Sequence, residues 1–384
     1  MKFHYYVPTR IFFGKGSVEK LSKIRLPGER ALLITGGTST TKLGYVDKIR
    51  NLLSDRGIGC EVYDGVVPNP DVETVHQCAS LVRQYGCGFI IGLGGGSSID
   101  TAKAAAVEAA NPGVYWDYVF GGSGGRKKAE HPPVPVVAVP TTAGTGTEAD
   151  PWAVITNGEE KIGYGSDQMF PDIAIVDPDF MMSVPANMTA YQGFDALFHA
   201  VEGYIAKTAN PMSDMFAEKS IALLGEGLVP AVRNRQDREA RASVALASTL
   251  AGFVESLSAC ASQHGIEHAM SALYPDLPHG AGLLMLSVEY FKLFQAVCGE
   301  RFVKMARLLG RKDADKPEDF VSVLAEMQAA CGVSALQMSK YGIKREDLPR
   351  IADNALTVSP GFFKVDARPL SREDVLGLLE RVYQ

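Results

Sequence analysis

The 384-residue chain has the composition of a globular, enzyme-sized protein, with 46% hydrophobic and 21% charged residues and a net charge of −6. This acidic balance provides no basic surface for nucleic acid and no polybasic tract for anionic lipid. The sequence has no apolar run of the ~18 residues that a transmembrane helix requires, and its start lacks a signal-peptide core. Its length suits two domains of roughly 150–200 residues each.

The cysteines are scattered along the chain and form no CxxC pair. They are Cys60, Cys78, Cys87, Cys260, Cys298 and Cys331. Because a chain of this length needs no disulfide staples, we interpret them as reduced thiols and expect a cytoplasmic protein.

The first half of the chain alternates short apolar runs with helical stretches. Four of these runs end in loops rich in glycine, threonine or proline, at residues 31–35, 59–66, 87–93 and 134–140. Strands that alternate with helices in this way are typical of a parallel sheet covered by helices. We therefore predict a Rossmann-like α/β domain over residues 1–185, with ligand-binding loops at the carboxyl ends of its strands.

From about residue 186 onward, long amphipathic stretches replace the β-branched runs. They occupy residues 190–207, 212–233, 238–257, 287–310 and 317–332. Apolar residues at helical spacing over such lengths predict an all-α domain over residues 186–384. Because no repeat or flexible linker separates the halves, we expect a tight hinge near residues 176–190.

The segment GGGSS after the third predicted strand indicates a dinucleotide site. Gly95, Gly96 and Ser97 stand between a buried strand and a helix, where backbone N–H groups can approach a pyrophosphate. Serine replaces the third glycine of GxGxxG, and a tight turn without a ligand is the alternative. A second loop, PTTAGTGTE, follows the next strand and supplies hydroxyls at Thr141, Thr142 and Thr145. Two such loops at successive strand ends favour a phosphate- or ribose-binding site.

Acidic and histidine side chains recur at helical spacing in the second half. Asp195 is followed by His199 at i,i+4, which places both on one face of a helix. His264 is followed by His268 at the same spacing, and then by His279. Burying these groups unpaired would cost several kcal/mol, which a shared cation would remove. The pattern suits Zn²⁺ or Fe²⁺, with separate structural groups as the alternative.

Four ordered motifs resemble the iron-containing, or group III, alcohol dehydrogenases. They are GGGSSIDTAK at 94–103, PTTAGTGTE at 140–148, GFDALFHAVEGYIAKTANPMSD at 193–214 and HGIEHAMSALYPDLPHGAG at 264–282. The opening PTRIFFGKGSVEKL and the closing ARPLSREDV are similar to that family too, and HGIEHAMSALY with HGAGL looks closest to its butanol-dehydrogenase-like aldehyde reductases. The resemblance implies a dinucleotide-binding α/β domain, a helical domain and an active site in the cleft between them.

Residue by residue, the resemblance implies one divalent metal held by Asp195, His199, His264 and His279. Fe²⁺ is the expected ion, with Zn²⁺ or Mn²⁺ as alternatives. His268 matches the family's active-site histidine, which lies near the metal and the nicotinamide without being a ligand. On the cofactor side, the resemblance implies contacts from Gly95, Gly96, Ser97, Asn69, Thr141, Thr142 and Thr145. The resemblance also places Asp100 among the cofactor-binding residues, and for Asp100 and Lys103 of the same motifs a structural role stays open as the alternative.

The stretch after the first predicted strand bears on the choice of cofactor. A site selective for NAD commonly places an acid on the ribose 2′-hydroxyl, and many members of the family carry an Asp there. Here Gly36 or Gly37 takes that place, and Ser39, Thr40 and Lys42 could accept a 2′-phosphate. We therefore expect NADP(H) to be preferred over NAD(H); a turn that tolerates both is the alternative.

Together these interpretations predict a metal-dependent alcohol dehydrogenase, or aldehyde reductase, that transfers a hydride between NAD(P)H and a small aldehyde or primary alcohol. A homo-oligomer is expected from the resemblance alone, with no nucleic acid or membrane partner. A hydroxyacid–oxoacid transhydrogenase, a dehydroquinate-synthase-like lyase and a non-catalytic scaffold are the alternatives.

The sequence departs from the family's pattern in two places. Thr147 replaces the more usual serine, which keeps the hydroxyl. Residues 253–263 lack the Asn-Ala-Gly-rich run that is common in the family just before the histidine that His264 matches. The identity of the substrate therefore cannot be inferred from the resemblance. The candidates for lining the substrate pocket are Trp152, Phe253, Ser256 and Cys260.

Overall fold

The structure is a computed structural model that describes residues 2–384. The chain forms two compact units, and neither is one continuous stretch. The first unit comprises Tyr6–Thr142 and Thr147–Met181. The second contains residues 2–5, Ala143–Gly146 and Met182–Gln384.

The first unit is built on a six-stranded parallel sheet. Its strands are β1 (Arg10–Phe13), β2 (Arg30–Gly36), β3 (Gly59–Val66), β4 (Phe89–Gly94), β5 (Val136–Pro140) and β8 (Ile173–Val176). They lie in the order β1-β8-β5-β4-β2-β3. An antiparallel hairpin of β6 (Trp152–Asn157) and β7 (Glu160–Gly165) forms a second small sheet. Every residue of β4 and β5 is buried, as expected of strands covered on both faces.

Four helices connect these strands. They are α1 (Ser39–Lys42), α2 (Tyr45–Ser54), α3 (Val72–Tyr85) and α4 (Gly96–Ala110). The carboxylate of Asp71 accepts a hydrogen bond from the backbone N–H of Thr74 and so caps the start of α3. Gly86, in the left-handed conformation, ends the same helix. Short 3₁₀ helices occupy Ser17–Ser22, Tyr115–Tyr118, Asp167–Met169 and Pro178–Met181.

The second unit is helical. Its α-helices are α5 (Ala186–Ile205), α6 (Pro211–Arg233), α7 (Arg238–Leu257), α8 (Ser262–Leu273), α9 (His279–Lys292), α10 (Gly299–Leu308), α11 (Glu318–Ala330), α12 (Leu348–Val358), α13 (Pro360–Val365) and α14 (Arg372–Val382). Short 3₁₀ turns lie at Met338–Tyr341 and Arg345–Asp347. Within residues 2–384 no single helix is both long and apolar enough to cross a membrane, although the bent pair α7 and α8 reaches that length and hydropathy in combination.

The predicted fold class, a parallel α/β domain followed by an all-α domain, is confirmed. Two details of the prediction are corrected. The sheet has six strands rather than four, because β1 and β8 are only four residues long and give a weak sequence signal. The predicted helical stretch 287–310 is divided, because the chain turns at residues 293–298 to bury Phe294 and Cys298.

Candidate functional site

Two of the predicted metal ligands lie one turn apart on α5. Asp195 and His199 are both buried, and the Oδ1 of Asp195 lies 3.7 Å from the Nε2 of His199. From Thr189 to Ile205 nearly every residue of this helix is buried, as expected of a helix that is apolar on most faces. The helix therefore carries a carboxylate and an imidazole into the interior, where each needs a polar partner.

The other two predicted ligands approach the same carboxylate oxygen. His264 lies on α8 and His279 is the first residue of α9. Their Nε2 atoms lie 3.6 Å and 3.4 Å from the Oδ1 of Asp195. One ligand atom from each of Asp195, His199, His264 and His279 lies within 4.8 Å of all the others. We call these four residues the imidazole cluster.

The imidazole cluster fits a divalent metal ion. The Oδ1 of Asp195 and the Nε2 of His264 are buried, and neither has a hydrogen-bond partner among residues 2–384. Separations of 3.4–3.7 Å are too long for good hydrogen bonds. They suit donors that share an ion, since bonds from oxygen or imidazole nitrogen to Zn²⁺ are about 2.0–2.2 Å. One carboxylate and three imidazoles is also a donor set that first-row transition metals accept.

The cluster is least enclosed on the side of His279. The side chain of His279 is 23% exposed, whereas those of Asp195, His199 and His264 are at most 6% exposed. The Oδ1 of Asp195 and the Nε2 of His264 are themselves shielded from solvent. His279 is therefore the predicted ligand nearest to solvent.

Each imidazole of the cluster has an oxygen acceptor at its other ring nitrogen. The Nδ1 of His264 lies 2.7 Å from the Oε1 of Glu202, and the Nδ1 of His279 contacts the Oε2 of Glu267. The Nδ1 of His199 lies 3.3 Å from the carbonyl oxygen of Gly144. When Nδ1–H donates to these oxygens, the lone pair of each Nε2 points toward the cluster.

The electrostatics of the cluster favour positive charge at its centre. Burial lowers the pKa of His264, but the carboxylates of Glu202 and Asp195 outweigh it and raise that pKa to about 10. Burial lowers the pKa of His199 to about 3, against the opposing effect of Asp195. The pKa of Asp195 is well below its usual range, because His199 and His279 outweigh the effect of its burial. The same carboxylates would stabilise a bound cation.

The segment Ala143–Gly146 packs closely against α5 and α7. A Cβ added to Gly144 would lie 2.8 Å from the carbonyl oxygen of Gln192. Gly146 has a φ of +63°, and a Cβ there would lie 2.5 Å from the backbone nitrogen of Gly252. The glycines of the AGTG motif are therefore required by this close approach, which brings the Gly144 carbonyl to His199.

His268, the predicted active-site histidine, lies one turn after His264 on α8 and is buried. Its ring centroid lies 5.6 Å from that of His279 and 5.5 Å from that of Phe362. It does not belong to the four-residue set around Asp195. The structure therefore places His268 beside the cluster.

The predicted pyrophosphate loop lies at the end of the central strand β4. Gly95 is the N-cap of α4, and Gly96 and Ser97 form its first turn, where backbone N–H groups have no partner within a helix. Gly94 has a φ of +149°, and a Cβ there would lie 2.5 Å from the Oγ of Ser98. A Cβ on Gly95 would lie 3.2 Å from the Oγ1 of Thr142. This open helix N-terminus fits a pyrophosphate.

The other predicted cofactor contacts follow neighbouring strands. Thr141 and Thr142 follow β5, and the backbone N–H of Thr141 donates to the carbonyl of Gly94 at 2.8 Å. Gly36 ends β2, and Gly37 and Ser39 follow it. Asn69 lies beyond β3 with a φ of +52°. Because these strands are parallel neighbours, their loops meet at one edge of the sheet. Thr145 belongs to the helical unit.

Known protein families match both parts of the chain. Residues 8–178 match the family described as iron-containing alcohol dehydrogenase. Residues 189–383 match the C-terminal part of the Fe-containing alcohol dehydrogenase family. Together the two matches span nearly the whole sequence.

The chain belongs to the iron-containing alcohol dehydrogenase family. It is 30% identical to an NADPH-dependent butanol dehydrogenase of Clostridium saccharobutylicum, over 99% of this chain and 97% of that protein. It is 33% identical to a 1,3-propanediol dehydrogenase of Klebsiella pneumoniae, over 94% of each chain. The NAD-dependent methanol dehydrogenase of Bacillus methanolicus is also 33% identical, over 92% of this chain and 93% of that protein.

Solved structures give the same result. An archaeal halo-thermophilic alcohol dehydrogenase from a Red Sea brine pool matches with a TM-score of 0.95 and 30% identity, over 100% of this chain and 99% of that one. An NADH-dependent butanol dehydrogenase of Thermotoga maritima matches with a TM-score of 0.86 and 29% identity, over 100% and 99%. This alcohol dehydrogenase is thus an NAD(P)-dependent oxidoreductase that acts on CH–OH groups of small alcohols or on the corresponding aldehydes, with a metal.

Asp100 and Lys103 of this alcohol dehydrogenase lie in a second buried polar cluster, in the α/β unit. The Nζ of Lys103 lies 2.7 Å from the Oγ1 of Thr147 and 3.1 Å from the Oδ1 of Asp150. The Oδ1 of Asp100 accepts from Thr147 at 2.6 Å, and its Oδ2 accepts from the backbone of Val154 at 3.0 Å. We call Asp100, Lys103, Thr147 and Asp150 the lysine cluster. These contacts favour the structural one of the two roles that the sequence left open for Asp100.

Three glutamates of the dehydrogenase's helical unit were missed by the sequence analysis. They are Glu202, Glu255 and Glu267. A signal was available for two of them, because Glu202 and Glu267 each follow a cluster histidine by three residues on a largely apolar helix. Of the four residues predicted to line the pocket, Cys260 is tied to this region, since its Sγ lies 3.4 Å from the Oε2 of Glu255. Phe253 packs edge-on against Phe216.

Proposed function

We propose that Asp195, His199, His264 and His279 bind one divalent metal, Fe²⁺, and that the enzyme preferentially uses NADPH to reduce a small aldehyde. One observation carries the metal assignment: three imidazole Nε2 atoms surround the Oδ1 of Asp195 at 3.4–3.7 Å. A chain that buried these groups for structure alone would pair them at hydrogen-bond distance. The family description supports iron.

The residues around the cluster have defined tasks in this reaction. When bound, the metal supplies Lewis acidity to the substrate oxygen, and the nicotinamide supplies or accepts the hydride. Asp195 and the three Nε2 atoms hold the ion, and the exposed side of His279 admits the substrate. His268 accepts the hydroxyl proton during alcohol oxidation and returns it during aldehyde reduction. An imidazole suits both directions because its ordinary pKa is near neutral.

Two alanine variants test these roles. His264→Ala removes a ligand and should lose both bound metal and turnover. His268→Ala should retain about one metal per chain and lose turnover, by roughly 10²–10⁴-fold for a lost acid–base group. Metal content by mass spectrometry and NADPH oxidation with butanal measure the two effects. An active, metal-replete His264→Ala would show that the ligand set is wrong.

The choice of metal is tested by reconstitution. The chelated enzyme is loaded with Fe²⁺, Zn²⁺ or Mn²⁺ under anaerobic conditions and assayed with the same aldehyde. We expect the highest turnover with Fe²⁺. Higher activity with Zn²⁺ or Mn²⁺ would overturn the assignment of iron without affecting the ligand set, because all three ions accept these donors.

The preference for NADP(H) rests on the loop after β2. Gly36 cannot carry the acid that would contact a 2′-hydroxyl, because its Cβ would lie 2.0 Å from the carbonyl oxygen of Val66. Gly37 has open space around it. Ser39 and Lys42 are exposed and could accept a 2′-phosphate.

A charge placed at Gly37 tests this preference. We expect wild-type kcat/KM to be higher with NADPH than with NADH. Gly37→Asp should lower the NADPH:NADH ratio, since its carboxylate repels a 2′-phosphate, whereas the neutral Gly37→Asn should change it less. Equal ratios in the two variants would place the 2′ position elsewhere.

Two further parts of the proposal have direct assays. Net oxidation of NADPH by a simple aldehyde distinguishes this reaction from a transhydrogenase, which releases no free cofactor.

We also propose a homo-oligomer in the cytoplasm. The cysteines are free in the structure, which supports a reducing compartment. Light scattering and cell fractionation test these two points.

A further inference from the structure

The imidazole cluster is surrounded by a second set of buried carboxylates. Glu202 contacts His264, Glu267 contacts His279, and the Oε1 of Glu255 lies 3.4 Å from the Nδ1 of His199. Glu202 and Glu267 have fully buried side chains, and that of Glu255 is 10% exposed. Every imidazole around Asp195 therefore faces a glutamate at its Nδ1 side.

This arrangement uses three helices. Glu202 projects from α5, Glu255 from α7 and Glu267 from α8. Burying a carboxylate is costly unless it is paired and hydrogen-bonded. Three such carboxylates around one group of histidines are hard to explain by packing alone, because each could be replaced by an apolar side chain at lower cost.

A carboxylate that accepts the Nδ1–H of an imidazole acts on the opposite nitrogen. It fixes the tautomer and the ring orientation, and it makes Nε2 a more basic ligand. We propose that Glu202, Glu255 and Glu267 are positioning residues that raise the metal affinity of His264, His199 and His279 respectively. This inference rests on the proposed metal site.

The three glutamates are not equivalent. Glu202 lies at 2.7 Å from its histidine, and Glu267 is in direct contact with its own. His199 instead has the Gly144 carbonyl as its hydrogen-bond acceptor, 3.3 Å from its Nδ1, and the Oε1 of Glu255 faces the same nitrogen at 3.4 Å as an ion-pair contact. Losing the charge of Glu255 therefore leaves His199 with an acceptor, and its effect should be the smallest of the three.

Glu202 has a further contact that complicates its test. Its Oε2 accepts a hydrogen bond from the backbone N–H of Ala261, just before α8 begins. A change at Glu202 therefore also affects the start of the helix that carries His264. The effect of a substitution at Glu267 is therefore easier to interpret.

The experiment is a metal titration of glutamine variants, which keep size and a hydrogen-bond acceptor while removing the charge. The purified enzyme is stripped with a chelator and titrated with Co²⁺ against a chromophoric chelator. Glu267→Gln and Glu202→Gln should raise the Kd about 10–100-fold, and Glu255→Gln less than tenfold. The visible absorption of bound Co²⁺ should shift in the variants, because it reports the ligand field of the histidines, and a loss of packing remote from the metal would not produce such a shift.

The matched control is Glu108→Gln. Glu108 is also buried and accepts from a histidine, with its Oε1 2.7 Å from the Nδ1 of His76, but it lies in the α/β unit. This variant should bind Co²⁺ as the wild type does, with the same spectrum.

Two different results would overturn the positioning role and the metal site. If the wild type binds one Co²⁺ and Glu267→Gln binds it within twofold with an unchanged spectrum, the positioning role is overturned while the metal site stands. If the stripped wild type binds no more Co²⁺ than Asp195→Asn, the proposed metal site itself fails. Should Glu202→Gln not fold, Glu267→Gln decides the question alone.

Discussion

The molecule buries two groups of charged side chains and neutralises them in different ways. In the lysine cluster, the ammonium of Lys103 contacts the Thr147 hydroxyl, the Asp150 carboxylate and the backbone carbonyls of Asp150 and Trp152 at 2.7–3.1 Å. In the imidazole cluster, the nitrogens stay 3.4–3.7 Å from the Oδ1 of Asp195. The first cluster is complete within the chain, whereas the second fits a cation from outside.

Asp366 is a buried carboxylate that belongs to neither cluster. Asp366 accepts hydrogen bonds from Ser262 and Tyr290 through its Oδ1, and its Oδ2 has no partner among residues 2–384. Neither a lysine nor the imidazole cluster neutralises it. Burial raises its pKa to about 7 despite these hydrogen bonds, so this carboxyl binds a proton more readily than an exposed one does.

Removing the cation of the lysine cluster should have the largest effect on stability. Lys103→Met leaves Asp100 and Asp150 buried without their cation and should cost about 3–5 kcal/mol of unfolding free energy. Urea denaturation followed by circular dichroism measures it. The control is Lys127→Met, which breaks an ion pair with Asp117 on the surface and should not change stability measurably.

A Lys103→Met variant as stable as the wild type would show that the lysine cluster does not depend on its ammonium group. If the variant is recovered only in insoluble form, Asp150→Asn offers a milder test. It removes one charge and keeps an acceptor for the Lys103 ammonium, so its loss should be smaller.

Removing the metal should have the next largest effect on stability. We expect this effect only in proteins whose imidazole cluster is intact. At a free metal concentration 100–1,000 times the Kd, binding stabilises the native state by about 3–4 kcal/mol. A chelator should therefore lower the Tm of the wild type. It should leave the Tm of Asp195→Asn unchanged, and an equal chelator effect on both proteins would contradict the site.

The carboxyl of Asp366 should make stability depend on pH. Its folded pKa of about 7 exceeds the ordinary value of 3.8, so the folded state holds the proton more tightly than the unfolded state. The contribution of the protonated Asp366 carboxyl to the free energy of unfolding is fully present below about pH 4. It is lost as the pH rises toward 7 and above. Asp366→Asn should flatten this decline and be more stable than the wild type at pH 8. Parallel pH profiles of unfolding free energy in both proteins would show that Asp366 ionises normally.

The smallest expected effect on stability comes from removing the hydroxyl of Thr147. Thr147→Val removes the group that donates to Asp100 and accepts from Lys103, and should cost about 1–3 kcal/mol. Thr147→Ser keeps the hydroxyl and should lie within about 0.5 kcal/mol of the wild type. A similar loss in both variants would assign the effect to the methyl group instead.

Much of the fold was predictable because local patterns determine it. The strand 59–66 and the helix 238–257 have the predicted bounds, since their apolar residues follow the strand and helix periods. The grouping of Asp195 with His199 follows from helical spacing in the same way. The strands β1 and β8 were missed because four residues are too few to show a period.

The contacts of Glu202, Glu255 and Glu267 with the histidines could not be predicted from the sequence, for a different reason. Glu202 and His264 are 62 residues apart, and their contact depends on how α5 packs beside α8. A glutamate three residues after His199 suggests a polar helix face, but it does not reveal which histidine it contacts. The same limit applies to Lys103, whose partners lie 44–49 residues away in the loop before β6 and at its start.

The packing of Gly146 against Ser248 and Gly252 has a consequence for synthesis of the protein. The backbone N–H of Gly146 donates to the Oγ of Ser248, which is 102 residues later in the chain. At about 5–20 residues per second, the ribosome needs on the order of ten seconds to supply that partner. Until then the AGTG segment has been made without α7, one of the two helices that fix it. The Gly144 carbonyl that contacts His199 therefore takes its final position late, after the strands on either side of it have been made.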